Sequence, residues 1–173
     1  MIREVLPPDT GSAFRVMKAL RADLVDEVAF VHVVDKVQRA EGYRLVGVFE
    51  DGEPEAAGVA GFRTLHSIAW GHYLYVDDLS TLPDARRRGH ARALLDWLLE
   101  EAGRLGCDQF HLDSGVGLDR ADAHRLYLSA GMVIACHHFA RYVETWGNAS
   151  SRGRISEISA PPASLWVALP ESG

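Results

Sequence analysis

Leu79-Ser80-Thr81-Leu82-Pro83-Asp84-Ala85-Arg86-Arg87-Arg88-Gly89-His90-Ala91 is the stretch that decides how this chain is read. A strand-like segment ends there in a basic, glycine-containing turn, and an amphipathic helix pattern follows at once. Such a junction suits a phosphate chain. The first N–H groups of a helix have no intrahelical acceptor, and the helix dipole favours an anion beside them. Gly89 and Ala91 carry little or no side chain, so a ligand can come close to the backbone. Arg86, Arg87 and Arg88 add charge-assisted hydrogen bonds.

Downstream of this stretch, Ala91, Leu94, Leu95, Leu98, Leu99 and Ala102 recur at helical spacing and form one apolar stripe. Gly103 and Gly106 mark the end of that helix. Residues 108–113 read as a strand closed by Ser114-Gly115-Val116-Gly117. Residues 121–130 read as a helix ended by Gly131, and residues 132–143 as a final strand. Upstream, residues 70–81 form the strand that enters the basic turn. Before it come strands at 44–49 and 54–65, joined around Asp51-Gly52. Residues 2–6 read as a short first strand, stopped by Pro7-Pro8. Two helices are expected at 13–22 and 26–40, the second with Phe30, Val33, Val34 and Val37 on one face. The order is strand, two helices, three strands, helix, strand, helix, strand. It predicts an α/β fold with a mixed, mostly antiparallel central sheet and helices on both faces.

The chain has 173 residues, 47% hydrophobic and 24% charged, which suits one soluble domain with a sizeable core. No apolar run reaches bilayer length, and the first residues lack a signal-peptide core, so a cytoplasmic protein without a membrane partner is expected. A net charge of −6 argues against general nucleic-acid binding. Yet Arg86, Arg87, Arg88, His90 and Arg92 concentrate positive charge, as a small polyanionic ligand would require. Cys107 and Cys136 read as small core residues, with no disulfide framework and no metal-ligand spacing. Residues 145–173 form an extension, rich in Ser, Gly, Ala and Pro over 147–162. Residues 164–169 within it would add an edge strand or pack on a neighbouring subunit of a homodimer.

Arg86-x-x-Gly89-x-Ala91 resembles the R/Q-x-x-G-x-G/A acetyl-CoA signature of the GNAT superfamily of N-acetyltransferases, and the element order is that of the same fold over roughly residues 1–144. The resemblance implies that the loop amides grip the pyrophosphate of coenzyme A, with Arg86, Arg87, Arg88, Gly89, His90 and Ala91 as binding residues. Ala123-His124-Arg125-Leu126-Tyr127-x-x-x-Gly131-Met132 resembles the A-x-x-L/F-Y-x-x-x-G-F segment of that family. There the tyrosine serves as general acid for the departing thiolate, a role that passes to Tyr127. A phenol can donate a proton to a thiolate near neutral pH. The plainer reading of Tyr127 is a half-buried aromatic on an amphipathic helix. Where many members carry a cofactor-contacting asparagine, this chain has Arg120, which would instead reach the cofactor's phosphates.

In that family the strand before the loop splays from its neighbour at a bulge. The resemblance therefore implies that the N–H near Leu79 binds the thioester carbonyl, and that Leu79, Ser80 and Thr81 flank the acetyl-pantetheine arm like an added strand. Asp78 sits where several members place a carboxylate base for the amine, with Asp77 on the opposite face. Both read equally well as strand-end carboxylates. His138 is a second base candidate and Asp113 a residue of the acceptor pocket or a turn cap. Phe30, Asp113 and His138 are the candidate acceptor-binding residues, and no metal is expected. The chain is expected to acetylate a primary amine of a small molecule or peptide. A non-catalytic acyl-CoA-binding domain on the same fold is the alternative; the presence of Tyr127 and Asp78 favours the enzyme.

Overall fold

The computed structural model describes residues 1–141. The chain divides into two compact units, Met1–Leu112 and Asp113–Gly173. The first unit is built on a five-stranded sheet: β1 (Ile2–Glu4), β2 (Arg44–Val48), β3 (Gly58–Ser67), β4 (Gly71–Thr81) and β5 (Gln109–Leu112), adjacent in that order. Neighbours are antiparallel except β4 and β5, which run parallel. A parallel neighbour needs a crossover connection, and helix α3 (His90–Arg104) supplies it.

Side-chain alternation assigns the two faces of the sheet. Val46, Val48, Ala60, Phe62, Leu74 and Val76 form one core with Leu94, Leu98 and Ala102 of α3. Leu94, Leu95, Leu98 and Ala102 of the stripe visible in the sequence are thus the buried face of α3, while Leu99 at its edge is exposed. Burial of each such leucine contributes about 2 kcal/mol. On the other face, α1 (Phe14–Leu20) packs against β3 and β4. Helix α2 (Glu27–His32) is capped by Asp26, whose side chain accepts from the Ala29 amide at 2.8 Å. Phe14 and Phe30 meet with ring centroids 5.8 Å apart.

Several expected boundaries shift. The helix expected over 26–40 is α2 continued by a π-helical turn over Val33–Gln38 and a 3-10 turn over Arg39–Glu41. The wide turn carries Asp35, which accepts from Thr10 Oγ1 at 2.8 Å and Arg39 Nε at 3.0 Å. The first helix ends at Leu20 rather than 22, because Arg21 leaves helical geometry (φ −118°, ψ 85°). The third strand starts at Gly58, not 54.

In the second unit, a 3-10 turn over Leu118–Arg120 leads into α4 (Ala121–Ser129). Gly131 ends it at φ +82°. The final strand expected over 132–143 is a correction: residues 132–141 carry no strand, and 142–143 lie outside the described residues. Val133 and Ile134 lie in the apolar run 132–136, yet they and Phe139 are exposed. An apolar run alone does not make a strand; a partner ladder must satisfy its amides. Cys136 is also a correction, since it is exposed rather than in the core; Cys107 is half-buried and both thiols are free. The extension over 145–173, with its expected edge strand, lies outside the described residues. Among those described, no helix is long and apolar enough to cross a membrane.

Candidate functional site

A 3-10 turn over Pro83–Ala85 carries the chain from β4 into the basic loop. Arg87 and Gly89 both take positive φ, 61° and 86°. Successive amides in such turns form an anion-binding concavity. Gly89 is the N-cap of α3, and no side chain among the described residues caps that helix start. The first-turn amides of His90, Ala91 and Arg92 therefore keep their donors available. A Cβ built on Gly89 would meet nothing within 4 Å, so the helix start is open to an incoming group.

The arginines divide. Arg86 and Arg87 make no ion pair among the described residues. Arg88 and His90 instead hold Glu50: Arg88 Nη1 donates to Oε1 at 2.9 Å, and His90 Nε2 lies 2.9 Å from the same atom. The His90 and Arg88 contacts, in that order, lower the Glu50 carboxyl below its ordinary range. Arg92 pairs one turn along with Asp96 at 2.8 Å.

Register locates the bulge upstream of this loop. At the start of β4, the His72 carbonyl accepts from the Asp108 amide at 2.6 Å, so even-numbered backbone groups face β5. At its end, the Leu82 amide donates to the Ala57 carbonyl at 2.9 Å, so even-numbered groups there face β3. The parity inverts because Phe62 pairs with Val76 while Gly61 pairs with Asp78, leaving Asp77 as the extra residue. Alternation then turns the backbone N–H groups of Leu79 and Thr81 away from β3. On that side, pairing with β5 ends at Val76 and Leu112. Ser80 and Thr81 remain paired with Val59 and Gly58 of β3.

The bulge is tied on every side. Arg21 donates to Asp78 Oδ1 from Nη2 at 2.9 Å and from Nε at 3.2 Å, and Nη2 lies 3.4 Å from the Asp77 carbonyl. The Tyr43 hydroxyl donates to Asp78 Oδ2 at 3.1 Å. Arg63 Nε donates to Asp77 Oδ2 at 2.8 Å. Asp78 is 7% exposed and Tyr43 is 2% exposed. Burial, then Asp78, pushes the Tyr43 phenol well above its ordinary value, so it stays a donor. Burial also raises the Asp77 carboxyl, against the pull of Arg63. Asp78 thus sits here as a buried, paired carboxylate, with Asp77 bonded to a different partner.

In the second unit, Tyr127 is half-buried on α4. Burial raises its phenol and Arg120 opposes that shift, so the hydroxyl is protonated at neutral pH. Arg120 Nε lies 3.3 Å from Asp119 Oδ2. Asp113 and His138, singled out separately in the sequence, come together: Asp113 Oδ2 is 3.0 Å from His138 Nδ1. Phe30 is 1% exposed and serves the packing against Phe14.

Sequence reasoning missed Arg21, Tyr43, Arg63 and Glu50. One signal was present for the first three. An isolated glycine inside a strand marks a bulge or a close approach, and Gly61 is both. It is the cross-strand partner of Asp78, and a Cβ there would overlap the Tyr43 hydroxyl.

Comparison with known proteins shows the family. A family model described as "Acetyltransferase (GNAT) family" matches residues 14–132. The chain is 30% identical over 134 residues to the uncharacterized N-acetyltransferase YhdJ of Bacillus subtilis, covering 77% of this chain and 91% of that protein. Solved structures share the fold at lower identity. An acetyltransferase from Trypanosoma brucei aligns with a TM-score of 0.69 at 18% identity, over 83% of this chain and 99% of its own. AAC(6')-Iy, solved in complex with the bisubstrate analog CoA-S-monomethyl-acetylneamine, aligns with a TM-score of 0.71 at 16% identity, over 84% of this chain and 98% of its own. With an open helix start behind a bulged strand and a family match across most of its length, the chain belongs to the GNAT family and is an N-acetyltransferase.

Proposed function

We propose that this N-acetyltransferase takes its acetyl group from acetyl-CoA and delivers it to a primary amine of a small molecule or peptide by direct attack on the thioester. The observation that carries the reading is the uncapped start of α3 between the positive-φ residues Arg87 and Gly89 and the following Ala91. The loop amides and the side chains of Arg86 and Arg87 hold the pyrophosphate, and Arg88 and His90 join them when they exchange Glu50 for a phosphate oxygen. Arg120 is a further phosphate contact.

Leu79, Ser80 and Thr81 align the acetyl-pantetheine arm along the outer edge of β4. The Leu79 N–H donates to the thioester carbonyl as charge builds on its oxygen, where a preorganised donor is worth most. The amine's proton passes to Asp78, directly or through a water. Tyr127 protonates the leaving thiolate. Asp113 and His138 act on the acceptor side, where a carboxylate attracts a cationic amine.

The test is release of coenzyme A thiol from acetyl-CoA across a panel of primary amines, with wild type and Tyr127→Phe. Wild type turns over at least one class of amine. Tyr127→Phe keeps the fold and cofactor affinity but lowers turnover roughly 10²-fold, the scale of a lost general acid. Undiminished turnover would return Tyr127 to a packing role.

A further inference from the structure

We propose that Arg21 and Tyr43 are positioning residues for acetyl transfer: together they clamp the β4 bulge and thereby aim the Leu79 amide. The inference rests on the reading that Leu79 N–H receives the thioester carbonyl, and it assigns that amide's direction to two side chains far from it in sequence.

The bulge inverts the direction of every backbone group that follows it in β4. Without the extra residue at Asp77, the Leu79 amide would face β3 and be consumed by the ladder. A bulge leaves its extra residue unpaired and the ladder locally disrupted. The structure answers this with side chains. Arg21, at the residue where α1 ends, reaches both the Asp77 carbonyl and Asp78 Oδ1. Tyr43, at the residue before β2, holds the other Asp78 oxygen. Its hydroxyl fits there only because Gly61, the strand partner of Asp78, has no Cβ. Three chain segments thus converge on two residues of β4.

Both residues act through Asp78 and the Asp77 carbonyl, and both are buried or half-buried. Tyr43 is completely packed, so its hydroxyl has one partner geometry to offer. Arg21 begins the connection between α1 and α2. Its side chain thus ties that connection directly to the bulge.

The experiment reads the amide's donation rather than turnover alone. Acetyl-CoA labelled with 13C at the thioester carbonyl is bound to the full chain, and the carbonyl stretch is recorded by infrared difference spectroscopy. In wild type, the band of bound acetyl-CoA lies below that of the free thioester, as a hydrogen-bonded carbonyl requires. Tyr43→Phe, which keeps the ring and removes the hydroxyl, loses a large part of this red shift. Arg21→Ala loses more, and Arg21→Lys recovers part of it. Acetyl-CoA affinity, set by the loop over 86–91, changes less than about twofold in Tyr43→Phe, well under the tenfold expected of a lost binding contact. Thiol release with an amine that wild type accepts falls about tenfold in kcat, less than the loss of an oxyanion donor outright. A wild-type shift retained in full by folded Tyr43→Phe and Arg21→Ala overturns the clamp while leaving the site reading intact. A wild-type complex with no red shift overturns the assignment of Leu79, and the clamp with it.

Discussion

The bulge at Asp77 and Asp78 and the loop over 86–91 lie fewer than ten residues apart, yet they use charge in opposite ways. At the bulge, both carboxylates are held by guanidinium or hydroxyl donors, and Asp78 and Tyr43 are almost wholly buried. At the loop, the helix start is uncapped, Gly89 faces open space, and Arg86 and Arg87 make no ion pair among the described residues. A buried polar group must find its partners within the fold. Donors left open at a helix end are available to a ligand instead. One region therefore fixes geometry, and the other binds.

That contrast can be broken first at the closed region, where the largest stability effect is expected. Gly61→Ala drives a methyl into the Tyr43 hydroxyl. It should cost about 3 kcal/mol, the upper range for overpacking a well-filled site, read as the change in urea midpoint. A neutral outcome would mean that Tyr43 moves aside cheaply and the bulge is not locked.

Asp78→Asn should cost about 2 kcal/mol, because it removes a charged hydrogen-bond acceptor from Arg21. It also separates two roles for this residue. If Asp78 takes the amine's proton, the acidic limb of the pH–rate profile flattens and kcat falls. If it only anchors the bulge, kcat falls and the limb stays where it is. Asp77→Asn, on the Arg63 side, serves as the control.

A second closed cluster carries a smaller expected effect. Glu101 of α3 binds Arg104 and Arg44, each at 2.6 Å, and Arg44 also binds Glu4 at 2.9 Å. The Arg104 contact first, then Arg44, draws the Glu101 carboxyl down from 4.5 to about 2. A depressed carboxyl stabilises the fold above its unfolded value and loses that contribution as pH falls towards the folded one. Stability should therefore decline between about pH 4.5 and 2, and Glu101→Gln should flatten that decline. An unchanged acid profile in the variant would place the sensitivity elsewhere.

The open region and the frame around it were legible in the sequence; of the closed region, the bulge was expected only through the family resemblance, and its side-chain partners were not legible. The stripe from Ala91 to Ala102 announced α3 because helical burial repeats within one segment. The loop announced itself because an anion site at a helix start is local: a turn, a glycine and a run of arginines. The bulge cluster joins Arg21, Tyr43, Gly61, Arg63 and two aspartates from four elements, and only strand register brings them together. Asp77 and Asp78 were visible as strand-end carboxylates, but their partners were not. The stretch after Gly131 misled for a related reason. Its apolar, β-branched run suited a strand, while pairing depends on a partner that no local pattern specifies.

In the proposed function, acetyl-CoA is held by the helix start over 86–91. Calorimetric titration of wild type and Gly89→Glu with acetyl-CoA tests it most directly. The substitution puts a carboxylate where the pyrophosphate would lie, and at a residue with φ +86°. A melting curve first establishes that the variant is folded. Wild type should form a complex, and Gly89→Glu should weaken it by more than tenfold, or about 1.4 kcal/mol. Equal affinity in a folded Gly89→Glu would contradict it.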